Sequence, residues 1–298
     1  MYSRRLFMGG TAAALGLAAC GQADMATKVG QRKIDKAGLQ TYTLREVFET
    51  DPKGTLEMIK AAGYEYVELN GRNFSTRSAQ ELKDILDEVG LPAPVSHINY
   101  DMSYQEKDKM IEIGRTLGLN YFVVPYMPDT MRSIDDWKGH AKNFNETGKS
   151  LVEAGMRLAY HNHEFEFEDL GGGTTAMDIL LAETDPKYVD FELDIYWTKL
   201  GRANVKQLFE RAPGRFKLCH IKDMTGDPWA ASANGASYET ITSDYMVNVG
   251  EGDIDFEAIF AMNDLSGMEY FIAEHDRPDA ALKDAIATSY EAIKAMRF

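Results

Sequence analysis

Short apolar runs alternate with longer amphipathic stretches along most of the chain. The short runs are rich in Val, Ile, Leu, Phe and Tyr, a composition typical of buried strands. They predict eight strands, at 38–43, 66–70, 93–98, 121–126, 156–163, 189–194, 216–221 and 270–274. The stretches between them place apolar residues at helical spacing. They predict helices at 52–62, 78–89, 104–117, 134–153, 177–184, 205–211, 256–262 and 280–296.

Eight strand–helix repeats predict an α/β fold, a single (β/α)8 TIM barrel over residues 37–298. A doubly wound open sheet is the alternative, but no Gly-x-Gly-x-x-Gly motif follows the first strand. The connection 224–254 shows no clear helix and carries Trp229. A loop of this length is usually functional, which favours an active-site lid over a disordered insertion.

The N-terminal segment has the pattern of an export signal. Arg4 and Arg5 precede a short apolar region, as in twin-arginine signals, and Leu17-Ala18-Ala19-Cys20 matches the bacterial lipoprotein cleavage box. The apolar stretch is shorter than the roughly 20 residues that a membrane span needs. We therefore expect a signal over residues 1–20, a tether over 21–36, and a periplasmic protein whose only membrane attachment is a lipidated Cys20.

Composition narrows the class of partner. The chain has 298 residues, 44% of them hydrophobic and 27% charged, as in a soluble globular protein. Its net charge of −15 argues against a nucleic-acid partner, because phosphate binding relies on Lys and Arg. With Cys20 assigned to processing, only Cys219 remains, so no disulfide is expected.

Five of the six histidines fall at the ends of predicted strands, where barrel active sites lie. The fifth strand ends in His161-Asn162-His163-Glu164, and polar residues also end the second, third, sixth, seventh and eighth strands: Glu68, His97, Asp194, His220 with Lys222, and Glu274. Charged groups at buried strand ends are costly unless they are paired or bind a metal.

The last four strands supply a candidate set of metal ligands: His161, Asp194, His220 and Glu274. Two imidazoles and two carboxylates suit one divalent ion, Mn²⁺, Zn²⁺, Co²⁺, Fe²⁺ or Mg²⁺, with Mn²⁺ or Zn²⁺ preferred. His163 is an alternative to His161, because strand period puts both on one face. A salt-bridged network without a metal is the other interpretation.

The chain resembles the sugar phosphate isomerase/epimerase family, the xylose isomerase-like barrels that include ketose 3-epimerases and inosose dehydratase. The resemblance rests on the segments 66–69, 160–163, 193–194, 218–223 and 272–274 in barrel order. It implies a metal held by Glu, Asp, His and Glu, and Asp194, His220 and Glu274 match three of these positions. The first is His161 here, which puts two-carboxylate 3-epimerisation in doubt and favours the His-rich lyases of the family.

This ligand set predicts an enzyme that removes a proton beside the carbonyl of a small-molecule sugar or glycoside and stabilises the enediolate. Glu274 or His163 is the expected base, and Lys222 the expected proton donor. The expected substrate contacts are Glu68, His97, Asn162, Trp197 and Trp229. For the two tryptophans, a role in core packing is an equally good interpretation. The alternatives are an exported lyase that cleaves 3-keto-glycosides or dehydrates a keto-sugar, a lipid-anchored sugar-binding protein, and an endonuclease IV-like nuclease.

Overall fold

The computed structural model describes residues 30–233, 235, 237, 239, 240, 244–278 and 281–298. Its strands, in chain order, are β1 (Gly38–Gln40), β2 (Tyr66–Leu69), β3 (Val95–His97), β4 (Tyr121–Val124), β5 (Arg157–His161), β6 (Val189–Asp194), β7 (Phe216–Ile221), β8 (Asp223–Met224), β9 (Met246–Val247) and β10 (Tyr270–Ala273). Strands β1–β7 and β10 pair in parallel and close into a barrel, in which β10 lies between β7 and β1. The predicted TIM barrel is confirmed and the open sheet is wrong.

Helices follow the strands and cover the outside of the barrel. They are α1 (Arg45–Thr50), α2 (Pro52–Ala62), α3 (Ala79–Val89), α4 (Tyr100–Gln105), α5 (Lys107–Leu117), α6 (Ile134–Glu153), α7 (Ala176–Glu183), α8 (Ile195–Leu200), α9 (Val205–Arg211), α10 (Pro228–Ala233), α11 (Phe256–Phe260), α12 (Asn263–Ser266) and α13 (Leu282–Ala295). Short 3₁₀ turns lie at Thr41–Leu44, Gly71–Phe74, Asp129–Met131 and Phe165–Phe167. No helix within these ranges is long and apolar enough to cross a membrane.

Two sequence predictions fail in the connections. The predicted helix 104–117 is two helices, because Glu106 leaves the helical conformation (φ −127°, ψ 40°) between α4 and α5. The connection 224–254 contains α10, which was not predicted. Pro228 occupies the start of this helix, and the Asp227 carboxylate accepts hydrogen bonds from the backbone N–H groups of Trp229 and Ala230.

The N-terminal predictions fall mostly outside the described residues. The signal over 1–20, its lipidated Cys20 and residues 21–29 of the tether belong to that part of the chain. The remaining tether residues do not extend freely: Arg32 exchanges two backbone hydrogen bonds with Phe298, at 2.9 and 3.0 Å, and Ile34 is buried. Residues 32–36 therefore pack on the barrel.

The barrel interior has an apolar lower part and a polar upper part. Strand alternation turns the side chains of Tyr66, Val95, Tyr121, Val123, Ala159, Leu218 and Ile272 inward, where they form one cluster. A Cβ at Gly38 would lie 2.2 Å from the Tyr66 ring, so only glycine allows this ring to cross beneath β1. Above this plug, the next inward positions on the same strands are polar, and they form the candidate site.

Candidate metal centre

A cavity of about 420 Å³ opens at the carboxyl ends of the barrel strands. It is lined by Tyr42, Arg45, Asn70, His97, Pro125, Tyr126, His161, His163, Trp197, Lys222, Met246, Glu274, Asp276 and Arg277. A volume of this size fits a small-molecule ligand. The histidines and acids that the sequence places at strand ends lie in the wall of this cavity or directly below it.

Three side chains at its base form what we call the upper group: Asp194, His220 and Glu274. One ligand atom from each lies within 4.8 Å of the others, and all three residues are buried. His220 Nδ1 is 2.7 Å from Glu274 Oε2 and 3.8 Å from Asp194 Oδ2. Asp194 uses Oδ1 to accept the Trp197 N–H at the start of α8, and its buried Oδ2 has no hydrogen-bond partner.

Lys222 is the cation that lies beside the upper group. Its Nζ is 3.2 Å from Asp194 Oδ2, 2.7 Å from Glu274 Oε2 and 3.0 Å from Asp276 Oδ1. Burial opposes the charge, but the carboxylates of Asp194, Asp276 and Glu274 outweigh it and raise the pKa of Lys222 well above its usual value. Lys222 is therefore an ammonium group.

Two other acids of this region, Asp223 and Glu251, bond to groups of the long connection. Asp223 accepts backbone N–H groups from Gly250 and Gly252, at 2.9 and 3.1 Å. Glu251 accepts a hydrogen bond from Asn248, at 2.9 Å. Asp223 thereby fixes the end of the long connection, which leaves Lys222 to the site.

A second set, the lower group, lies deeper in the barrel and consists of His97, His161, Glu192 and His220. Three ring nitrogens converge on Glu192 Oε2: His97 Nε2 at 2.9 Å, His161 Nδ1 at 3.0 Å and His220 Nε2 at 3.2 Å. Glu68 lies against the same set, with Oε2 2.6 Å from His220 Nε2. His220 belongs to both groups, with one ring nitrogen facing each.

The two carboxyls of the lower region differ in charge. Burial disfavours both anions, but the neighbouring His97 and His220 lower the pKa of Glu68 to about 2. For Glu192, burial and the negative charge of Glu68 raise the pKa to about 7. Burial likewise opposes protonation of His97, and the charge of Glu68 outweighs it and raises the pKa to about 9. Glu68 is therefore the anion that pairs with His97 and His220.

His163 forms part of the cavity wall beside the upper group. Its ring stacks on Phe165, with centroids 5.6 Å apart, and lies 5.2 Å from the Trp197 ring. Burial lowers the pKa of His163 well below its usual value, so the ring is neutral. Its Nδ1 has no hydrogen-bond partner. A neutral imidazole with a free ring nitrogen at a cavity can accept a proton.

Of the four predicted metal ligands, three form the upper group and His161 belongs to the lower one. His161 Nε2 is nevertheless 3.7 Å from Asp194 Oδ2, so His161 adjoins both sets. His97, Trp197, His163 and Lys222 line the cavity as the sequence suggested.

Three predicted substrate contacts do not line the cavity. Asn162 points away from it, because side chains alternate along β5, and its amide donates to Thr198 Oγ1 at 3.0 Å. Glu68 is fully buried below the floor. Trp229 lies on α10, where the Arg202 guanidinium is 4.2 Å from its ring centroid. We assign all three to packing or support.

Sequence reasoning missed Glu192, the centre of the lower group. Its signal was available: Asp190, Glu192 and Asp194 alternate along β6, and an acid that shares a face with Asp194 must also point into the barrel. Asp276 was missed as the third carboxylate around Lys222, because it follows β10 in a loop whose path the sequence does not fix.

The donor atoms of the upper group fit a divalent cation. Carboxylate oxygens with imidazole nitrogen are the ligands that Mn²⁺, Zn²⁺ and related ions take. The fully buried Asp194 Oδ2 makes no hydrogen bond and lies 3.2 Å from Lys222 Nζ, and a carboxylate oxygen has a further lone pair to offer such an ion. An ion bound here would share Asp194 and Glu274 with the Lys222 ammonium.

Comparison with known proteins finds relatives and solved structures that are similar to this chain. Inosose dehydratase of Clostridium perfringens is 24% identical over 165 residues, which are 55% of this chain and 54% of that protein. The chain thus matches about half the length of such curated relatives. A sugar phosphate isomerase/epimerase from Parabacteroides distasonis superposes with a TM-score of 0.72, at 24% identity over 95% of this chain and 96% of its own.

The fold is also shared with IOLI protein, solved with a zinc atom bound. Its TM-score is 0.66, at 17% identity over 86% of this chain and 96% of that chain. Sugar isomerases, epimerases and dehydratases are therefore the enzymes that this chain resembles. The sequence profile of the xylose isomerase-like TIM barrels matches residues 56–296. The chain belongs to the xylose isomerase-like TIM barrel family.

Proposed function

We propose that this protein is a divalent-metal-dependent enzyme that removes the proton from the carbon beside a sugar carbonyl. One observation carries the proposal: the upper group, the Lys222 ammonium and the neutral His163 meet at the base of one cavity of about 420 Å³. Enolisation of a sugar requires a base, a cationic donor and a set of metal ligands, and His163, Lys222 and the upper group are these three parts.

The metal would be held by Asp194, His220 and Glu274, with His161 as the fourth ligand. An ion at this position supplies electron withdrawal from the substrate carbonyl and so acidifies the adjacent C–H bond. His161 lies close enough to take part, since its Nε2 is 3.7 Å from Asp194 Oδ2.

His163 is the better of the two predicted bases. Glu274 is engaged by His220 and Lys222, each at 2.7 Å. His163 is neutral and its Nδ1 has no hydrogen-bond partner, so it can take the proton without losing another contact. Lys222 then stabilises negative charge on the substrate oxygen or donates a proton to a departing oxygen.

A second activity, β-elimination from a keto-sugar or a 3-keto-glycoside, is favoured by the asymmetry of the site. The His163 imidazole and the Lys222 ammonium are a base and an acid of different strength at the same cavity. Symmetric epimerisation is served better by two equivalent groups, and the carboxylate that would pair with Glu274 is replaced by His161. The curated relatives that the chain matches are inosose dehydratases.

Incubation of the metal-loaded protein with 3-keto-glycosides and with free ketoses in D₂O, followed by NMR, tests the proposal. Deuterium at the α-carbon is expected from epimerisation or isomerisation, whereas release of the leaving group identifies elimination. His163→Gln should abolish both, whereas His275→Gln, a histidine at the same end of the barrel that does not line this cavity, should retain the wild-type reaction. Absence of both deuterium uptake and leaving-group release with every substrate would contradict the proposal.

We also propose that the chain is exported and carries lipid on Cys20. The paired arginines and the cleavage box support this assignment. Metabolic labelling with an alkyne fatty acid should mark the wild-type protein in the membrane fraction and not the Cys20→Ser variant. Equal labelling of both proteins would contradict it.

A further inference from the structure

We infer that the lower group is itself a metal site: His97, His161, Glu192 and His220 bind a second divalent cation beneath the upper group. The inference concerns a different set of ligand atoms from the one on which the proposed function rests. His220 and His161 adjoin both sites, each through opposite ring nitrogens.

The spacing of the lower group suits a tetrahedral zinc site. Its ring nitrogens lie 2.9, 3.0 and 3.2 Å from Glu192 Oε2, and all four ligand atoms lie within 4.8 Å of one another. Zinc bonds to imidazole and carboxylate measure about 2.0–2.1 Å, which makes the edge of a ligand tetrahedron about 3.3 Å. The three distances to Glu192 Oε2 are therefore close to such an edge. All four residues are at least 95% buried, so water would not compete for the site.

Hydrogen bonding alone satisfies this set poorly. Three imidazoles direct a nitrogen at one oxygen, Glu192 Oε2, while Glu192 Oε1 is buried without a partner. Buried carboxylate oxygens in folded proteins are normally satisfied, and an ion among the four donors accounts for their arrangement.

His220 faces a carboxylate through each ring nitrogen. Its Nε2 is 2.6 Å from Glu68 and its Nδ1 is 2.7 Å from Glu274. Without metal, only the protonated imidazole can donate to both carboxylates. With an ion in each group, both ring nitrogens act as ligands and His220 becomes the bridge between two metals.

The charge of the region is compatible with two divalent ions. Among the described residues, four buried carboxylates and Asp276, whose side chain is 25% exposed, surround one ammonium, Lys222. With the imidazoles neutral, as metal ligands are, this leaves four negative charges, which two divalent ions would neutralise. The lower ion has four protein ligands and would be structural, whereas the upper one adjoins the cavity.

Metal counting on the full chain tests the inference. The protein is saturated with Zn²⁺, dialysed exhaustively and assayed by mass spectrometry for zinc per chain. About two ions are expected in the wild type, and about one each in Glu192→Gln and Asp194→Asn. Asp190→Asn is the matched control: it lies on the same strand two residues below Glu192, is bonded to Tyr121 and Arg157, and should retain both ions.

A second variant and a second measurement distinguish loss of a metal ligand from misfolding of the variant. His97 belongs only to the lower group, so His97→Asn should also lose one ion, while circular dichroism verifies the fold of each variant. X-ray absorption at the zinc edge of Asp194→Asn should then report the lower site alone, with about three imidazole ligands.

Each outcome distinguishes this inference from the proposed function. In one outcome, the wild type binds a single ion that is lost in Asp194→Asn and kept in Glu192→Gln and His97→Asn. That result overturns the lower site and leaves the proposed function intact. If the single ion is instead kept in Asp194→Asn and lost in Glu192→Gln and His97→Asn, the lower site is supported and the assignment of metal to the upper group is overturned. Absence of zinc from every variant and from the wild type overturns both.

Discussion

Asp190 and Asp194 lie on the same strand and both point into the barrel, one below the lower group and one above it. Asp190 is fully engaged: it accepts the Tyr121 hydroxyl at 2.9 Å and forms an ion pair with Arg157. Asp194 leaves Oδ2 without a hydrogen bond, and burial raises its pKa to about 6. The acid at the lower end of the barrel interior therefore stabilises the fold, and the acid at the upper end is available to bind a ligand.

The largest effect that the comparison predicts is that of His220→Ala. This change removes a ligand from both groups, so bound zinc and catalytic turnover should both fall, the latter by more than about 100-fold. His140→Ala is the control, because His140 is buried on α6 and bonded to Tyr104 and Met131, away from either group. Equal metal content in the two variants would contradict our assignment of His220 to metal binding and of His140 to packing.

Asp190→Asn and Asp194→Asn should differ in stability in the metal-free protein. Asp190→Asn breaks a buried pair, and because Arg157 is one-third exposed we expect a loss of about 2 kcal/mol in unfolding free energy. Asp194→Asn keeps the oxygen that caps α8, and Lys222 keeps its ion pairs with Glu274 and Asp276, so stability should change by less than about 1 kcal/mol. Urea denaturation of both variants measures the difference, and the reverse order would refute the comparison.

Glu166 sharpens the comparison, because it is a buried carboxyl that contacts neither group. It is hydrogen-bonded to the Tyr160 hydroxyl and to the backbone N–H of His163, and burial raises its pKa to about 8. A raised pKa means that its contribution to stability is complete below about pH 4.5 and is lost as the pH rises to about 8.

The resulting pH dependence has a definite sign. One unit of pH corresponds to at most about 1.4 kcal/mol, so wild type should lose about 2 kcal/mol relative to Glu166→Gln between pH 6 and pH 8. Denaturation at several pH values, with the metal removed, measures this difference. A constant difference across that range would show that Glu166 is ionised throughout.

The periodic pattern of apolar and polar residues along the chain was sufficient to predict the fold and much of the site. Strand alternation gave the eight strands and put His161 and His163 on one face, and the same rule applied to β6 would have revealed Glu192. It would also have turned Asn162 away from the cavity. Two features were beyond sequence reasoning. The carboxylates around Lys222 depend on the barrel's closure, and the position of Trp229 depends on how α10 packs against Arg202.

The smallest effect separates the two tryptophans. Trp197 lines the cavity and its ring centroid is 5.5 Å from Lys222 Nζ, whereas Trp229 does not line it. An aromatic face against a sugar or a cation is worth about 1 kcal/mol. Trp197→Leu should therefore raise KM about fivefold, while Trp229→Leu should leave KM within about twofold of wild type. Because both ring nitrogens are buried without a hydrogen-bond partner, any cost to stability should be alike in the two variants. A change in KM for Trp197→Leu alone would thus reflect the cavity, and equal changes would show that the long connection contributes to substrate binding.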